Sequence, residues 1–404
     1  MADQKSEKWL LLGTGLAYFL IGLEVLFMIT PFALYFYGVY GPILEFLSSH
    51  RLTAWTVEFF MPHMVFVEDP LLNGLSYLQT LFVVGMVLFF LAAAPLYYGR
   101  LTGKGVVSFG FYARVRHPQY LFLAISGFGL LLYWPRFIVL IFFVTMLFVY
   151  YLLARNEEWR MRREQGGSYE EYMARSWMFL PGEPGGAVYR VLFGFIRPRW
   201  LGLLATYLLV MVLSVGAALG IRAHTIERLP RAAVDSMTLV SVYPRPAAEL
   251  QGLYAGALAS PEVQEYLGQD QLNLAYLMPG DFFLTGLILK EGPRFSEHQL
   301  KRYPALRELQ KNPHSGGLVK FFRLGYKFFQ TIGTTRRVYD VDRIVFVHSR
   351  NLDGEAVLSE QVFDIGVKKT PALVVDIDSE TREVLSVFRV SGSNVWGQLP
   401  MPTF

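Results

Sequence analysis

Residues 114–158 read RVRHPQYLFLAISGFGLLLYWPRFIVLIFFVTMLFVYYLLARNEE, and the fold follows from how this stretch is parsed. A basic turn opens it. Two apolar runs follow, Leu121–Trp134 and Phe137–Leu153, separated only by Pro135 and Arg136. Charge then returns at Asn156-Glu157-Glu158. Each run approaches the ~20 apolar residues that cross a bilayer, so the pair predicts a tight hairpin of two membrane helices. Proline suits the first helical position, where its missing N–H is not needed. Pro118 is therefore the expected helix start, with Arg116 and His117 just outside it. A hairpin returns its second arm to the face where its first began, which brings Glu157 and Glu158 within reach of Arg116 and His117.

Outward from this hairpin, similar runs occupy Trp9–Tyr37, Leu75–Tyr98 and Trp200–Ile221. The expected fold class is an α-helical integral membrane domain over 1–221, with about five transmembrane helices of which 3 and 4 form the hairpin. A soluble α+β domain is expected over 222–404, where no comparable run occurs. The chain is 53 % hydrophobic and 16 % aromatic, and the first half carries the excess. Lys5 and Lys8 precede an apolar run too long for a signal peptide, which reads as an uncleaved anchor. The absence of cysteine excludes disulfides and thiol catalysis.

Charge orients the chain. Arg100, Lys104, Arg114 and Arg116 follow the second run, and eight arginines from Arg155 to Arg199 lie between the fourth and fifth. The opposite loops carry Arg51 and Arg136. Lysine and arginine collect on the cytoplasmic side, so the N-terminus and the basic loops are expected there. The C-terminal domain is then extracytoplasmic, periplasmic for a bacterial inner membrane. Residues 38–74, apolar but broken by prolines and charges, read as an interfacial segment or a partial re-entrant helix. Residues 182–199 read as a short amphipathic helix on the cytoplasmic face.

In the C-terminal domain, Ser296-Glu-His-Gln299 matches a capping box, and Leu318–Gln330 is expected to be helical. Strands are expected at Arg343–Ser349 and Ala356–Ile365, with a hairpin of Leu373–Ile377 and Val384–Val390. Asp376, Asp378 and Glu380 invite a calcium reading but fit a solvated turn better. His298, His314 and His348 lack metal-ligand spacing. No nucleic-acid motif and no nucleophile–base pair is present, so this domain is expected to contact protein or deliver substrate.

Three local features carry candidate chemistry. Arg116-His117-Pro118-Gln119-Tyr120 places cationic groups at a helix N-terminus, which suits a carboxylate. Glu157 and Glu158 close the hairpin, where charge is costly unless paired or functional. Tyr169 and Tyr172 in GGSYEEYMAR share a helix face, with Arg175 three residues on. Each alone fits a membrane-flanking charge, an ion-pair network or a surface helix.

Together, RHPxY, a hydrophobic hairpin, EE, then GxxYxxY and Pro181 resemble the isoprenylcysteine carboxyl methyltransferase and phospholipid methyltransferase superfamily. The resemblance covers Gly99–Pro181, about a fifth of the chain. It implies an integral membrane enzyme using S-adenosylmethionine, open to the cytoplasm, with a membrane lipid or lipophilic small molecule as acceptor. It places His117, Pro118, Tyr120 and Glu157 around the cofactor, with Tyr169 and Tyr172 beside it. Arg116, Glu158 and Arg175 become candidates for the reacting group, and His117 or Glu158 for a general base. Phe122 stands where the superfamily pattern RHPxYxG has glycine. The competing reading is a non-catalytic membrane subunit on the same scaffold that binds a protein partner through 222–404.

Overall fold

The computed structural model describes residues 30, 43–63, 65–102, 107–269, 272–280 and 341–390. Apart from Thr30, the first apolar run lies outside them, as do the elements expected over 296–330. The chain forms two compact units. The first takes the stretch up to Ser48, Phe59–Met61 and Pro70–Arg222. The second takes Ser49–Glu58, Pro62–Asp69 and the chain from Ala223.

The first unit is helical. After α1 (Ile43–Ser48), α2 (Pro70–Tyr77) runs through a single 3-10 turn, Leu78–Thr80, into α3 (Leu81–Leu101). The apolar helix therefore begins at Pro70, earlier than the expected Leu75. Next come α4 (Pro118–Tyr133), α5 (Phe137–Gln165), α6 (Gly167–Ala174), α7 (Pro184–Phe193) and α8 (Arg199–Arg228). Among the described residues, three segments are long and apolar enough to cross a membrane: Pro70–Gly99, Phe137–Gln165 and Arg199–Arg228. With 16 residues, α4 is about 24 Å long at 1.5 Å per residue, shorter than a ~30 Å hydrocarbon core.

The α4–α5 hairpin forms as the sequence dictates. His117 is the N-cap and Pro118 the first helical residue, and Trp134-Pro135-Arg136 makes the turn. Phe59–Met61 clasps that turn: the Phe60 N–H donates to the Pro135 carbonyl at 2.8 Å. The Arg136 guanidinium lies 4.2 Å from the centre of the Phe59 ring.

Small residues let α3 and α4 cross closely, the usual solution where lipid offers no hydrophobic drive between helices. A Cβ on Gly85 would sit 2.8 Å from the Phe122 carbonyl and collide with the Ser126 backbone, and one on Gly129 would collide with Phe82. Ser126 Oγ donates to the Phe82 carbonyl at 2.9 Å. The close approach that glycine at 122 would permit on α4 is thus supplied by Gly85 on α3. Phe122 is buried instead against Phe111, ring centres 5.0 Å apart.

The second unit is built on a sheet that, among the described residues, has six strands in sequential order: β1 (Arg231–Val234), β2 (Met237–Ser241), β3 (Leu274–Pro279), β4 (Val341–Arg350), β5 (Lys368–Asp378) and β6 (Val384–Arg389). All neighbours are antiparallel except β2 and β3, which need a crossover. That crossover contains α9 (Ala247–Leu258) and α10 (Pro261–Gln269). Leu250, Leu253, Ala257 and Val263 from these helices share one core with Leu239, Leu277, Phe346 and Val375 from alternate sheet positions. Residues of the opposite alternation, including Tyr276, Val345 and Val374, are buried too. Strands covered on both faces read as unbroken apolar runs rather than as alternation.

One expectation needs correction here. The strand expected over Ala356–Ile365 does not form: Ala356 makes an isolated bridge to Arg350, and Ser359–Gln361 is a 3-10 turn. The partner of β4 is Lys368–Asp378, reached after Gly366 at φ +88°, where only glycine is at ease. Within 38–74, the segment expected to be interfacial or re-entrant, residues 49–58 and 62–69 belong to the second unit. Phe66 donates its N–H to the Val242 carbonyl at 2.7 Å and stacks on Tyr243 at 4.8 Å.

Candidate functional site

The hairpin mouth gathers one buried polar cluster. Upstream of α4, the 114–117 backbone pairs with the segment after α6. Val115 bridges Trp177 in parallel, the Arg116 N–H donates to the Trp177 carbonyl at 2.8 Å, and the His117 N–H to Met178 at 3.1 Å. Two donors at a helix entrance are thereby satisfied, which the helix itself cannot do.

Arg116 is the hub. Its Nε donates to Glu158 Oε1 at 2.6 Å, its Nη1 to the carbonyls of Met173 (3.2 Å) and Ser176, and its Nη2 to Glu183 Oε1 at 3.2 Å. The planar fork reaches all three directions at once, which a lysine cannot. Glu183 also accepts from the Met178 N–H at 2.7 Å and is held with φ +46°. Every nitrogen of Arg116 is therefore engaged within the protein. The side chain thus joins the start of α4, the end of α5 and the loop after α6.

His117 lies between the carboxylates. Nδ1 is 3.3 Å from Glu157 Oε2, and Nε2 is 3.6 Å from Glu158 Oε1. Neither nitrogen makes a well-directed hydrogen bond among the described residues, although both are fully buried. Burial on its own pushes the imidazole pKa down, but Glu157 and Glu158 together outweigh it and hold the pKa above its ordinary value. Glu158 is clamped by Arg116.

Tyr120 completes this side. Its hydroxyl donates to Glu157 Oε1 at 2.5 Å, and its ring stacks on Tyr150 at 4.9 Å and on His117 at 5.8 Å. Phe179 lies 6.0 Å from the imidazole. Glu157 is the one carboxylate of the pair with appreciable exposure, its side chain 22 % accessible against 5 % for Glu158. Phe122 stands about 200° around the helix from Tyr120, on the Phe111 side, so the missing glycine leaves this cluster untouched.

The α6 residues divide. Gly166 at φ +57° reverses the chain between α5 and α6, and Tyr169 and Tyr172 turn inward and are buried. Burial pushes the Tyr169 phenol well up, with Glu158 adding to the effect. Its hydroxyl makes no hydrogen bond among the described residues. Burial pushes the Tyr172 phenol up to about 12, and Tyr172 donates to the Tyr112 carbonyl at 2.7 Å, so it ties α6 to the turn before α4. Arg175 is exposed, 6.0 Å from the Tyr172 ring centre. Among the described residues, neither an ion pair nor a hydrogen bond joins it to the cluster.

Four further participants lie outside the motifs that mark the site in sequence: Tyr112, Tyr150, Ser176 and Glu183. Tyr150 has a legible signal, because 150, 154 and 158 follow at helical spacing on one face and all three are buried. Glu183 has none, since its role depends on a loop folding back onto Arg116. Elsewhere, Asp376 pairs with Arg343 through two bonds of 2.7 and 3.0 Å, and Asp378 accepts from the N–H groups of Glu380 and Thr381. The calcium reading therefore lapses, and no group of potential metal ligands occurs among the described residues.

No protein-family model matches the chain, and no curated protein or solved structure is significantly similar to it.

Proposed function

We propose that this chain is an integral membrane protein with five membrane-crossing helices. In this reading the cluster at the cytoplasmic mouth of the α4–α5 hairpin binds S-adenosylmethionine for methyl transfer to a lipophilic acceptor. The supporting observation is that His117, Tyr120 and Glu157, drawn from two motifs far apart in sequence, meet in one buried cluster: Tyr120 to Glu157 at 2.5 Å and His117 to Glu157 at 3.3 Å. The residues fit the group chemically. Glu157, partly open, suits the ammonium of the cofactor, and the Tyr120 and Tyr150 faces suit a sulfonium. The cofactor carboxylate falls to the α4 N-terminus, because Arg116 is engaged.

When bound, S-adenosylmethionine supplies an electrophilic methyl carbon. The chain supplies orientation and a fixed electrostatic environment. Arg116 holds Glu158, Glu158 and Glu157 flank the His117 imidazole, and Tyr120 fixes the Glu157 carboxylate. Positive-side counting places these groups in the cytoplasm, and the acceptor enters from the bilayer.

The second reading, a non-catalytic membrane subunit, is favoured by the same cluster's closure: every guanidinium nitrogen of Arg116 is taken up within the chain, which leaves none to hold a ligand carboxylate. Calorimetric titration with S-adenosylmethionine separates the two. Binding that is lost in both His117→Ala and Glu157→Ala, with folding in detergent retained, supports the cofactor site. Absence of binding by the unaltered protein overturns it.

A further inference from the structure

Helix α7 has no buried residue. Val188, Val191, Leu192 and Phe195, at i, i+3, i+4 and i+7, are 56 %, 79 %, 47 % and 79 % exposed, and such spacing forms one apolar stripe. Trp200 at the start of α8 is exposed as well. The roll of α7 is not free. Gly202 of α8 admits Tyr189 and Phe193, since a Cβ there would lie 2.6 Å from the Tyr189 hydroxyl and 3.3 Å from the Phe193 carbonyl. With that side against α8, the Val188–Val191–Leu192 stripe faces outward.

The charge around the stripe has one sign. Arg190, Arg197 and Arg199 are exposed, and none makes an ion pair among the described residues. The one carboxylate between residues 181 and 199, Glu183, is bound to Arg116 and the Met178 N–H. Position is constrained too. Five residues, Gly194–Pro198, join α7 to α8, a reach of at most ~18 Å. If α8 crosses a bilayer, α7 cannot leave that bilayer's surface.

We propose that α7 is an interfacial helix binding anionic phospholipid. Its stripe inserts among the acyl chains, and Arg190, Arg197 and Arg199 hold lipid phosphates, as basic amphipathic helices do. The inference goes beyond the methyl-transfer reading and rests only on the membrane-crossing of α8.

The cysteine-free chain allows a direct test. Val191→Cys and, as control, Val212→Cys in mid-α8 are spin-labelled in the full-length protein and placed in nanodiscs of phosphatidylcholine, with or without phosphatidylglycerol. The Val191 label is expected to be accessible to oxygen and shielded from a water-soluble nickel reagent in anionic discs. Adding Arg190→Gln should lower the inserted-to-exposed ratio about fivefold there and leave it unchanged in neutral discs. A nickel-accessible Val191 label beside a lipid-exposed Val212 label would overturn the proposal. Equal insertion with and without phosphatidylglycerol would overturn the anionic assignment. Shielding from both reagents would mark a protein contact and overturn it likewise. A nickel-accessible Val212 label would overturn the membrane reading itself.

Discussion

At the scale of single residues, His117 is the group whose environment has the plainest consequence. Its folded pKa is raised above the ordinary 6.5, so its proton is bound more tightly in the folded chain than in the unfolded one. The stabilisation is complete below pH 6.5 and is lost as pH rises through the folded pKa. The thermal midpoint in detergent is expected to fall across that window, and His117→Gln should remove that step from the profile. Arg116 makes a second prediction. Removing one partner of a buried ion pair strands the other charge at a cost of ~3–5 kcal/mol. Arg116→Ala is therefore expected to lower stability by that amount, read from chemical denaturation in mixed micelles. Arg175→Ala, which breaks neither a hydrogen bond nor an ion pair among the described residues, should stay near the parent value.

At the scale of elements, the α3–α4 crossing depends on two glycines whose neighbours are backbone atoms, which cannot move aside as a side chain can. Gly129→Ala forces the helices apart, and overpacking of this kind costs ~1–3 kcal/mol. Gly74 in α2 is the counter-case, because a Cβ there would meet nothing within 4 Å. There, Gly74→Ala should gain ~0.5–1 kcal/mol from helix propensity. Opposite shifts in thermal midpoint would check the pair, and equal shifts would show that the crossing is not close. The Arg343–Asp376 pair across β4 and β5 acts similarly within the sheet. Both side chains are buried, at 3 % and 1 % exposure, so Asp376→Ala is expected to destabilise the second unit far more than a change at the exposed Glu380.

At the scale of the whole molecule, the second unit is discontinuous in sequence. Residues 49–58 and 62–69 belong to it although they precede Pro70–Gly99, the first described segment of membrane-crossing length. Asp69 is buried there, 3.0 Å from His224 and 3.7 Å from Arg228. A fragment of 223–404 alone should therefore fold less completely than the same fragment supplied with 49–69. Amide exchange would show the difference as weaker protection in β2, whose neighbour Val242 accepts the Phe66 N–H. Equal protection in both fragments would mean that the inserted stretch is dispensable.

Much of this was legible along the chain, because apolar run length and proline position act over a few residues. The hairpin from Pro118 through Pro135 to Glu158, the amphipathic α7 and the β5–β6 hairpin all depend on such local rules. The buried β2 and β3 strands were not legible, since strands covered on both faces carry no alternating pattern to separate them from other apolar stretches. What only the tertiary structure decided is where charge and space are used. Arg116 looks available in sequence but is taken up by Glu158, Ser176 and Glu183. Phe122 looks obstructive but packs against Phe111, about 200° around α4 from Tyr120. Local chemistry names the groups at the hairpin mouth; which of them stay open to a ligand depends on contacts from residues as distant as 67 positions, and no local pattern encodes those.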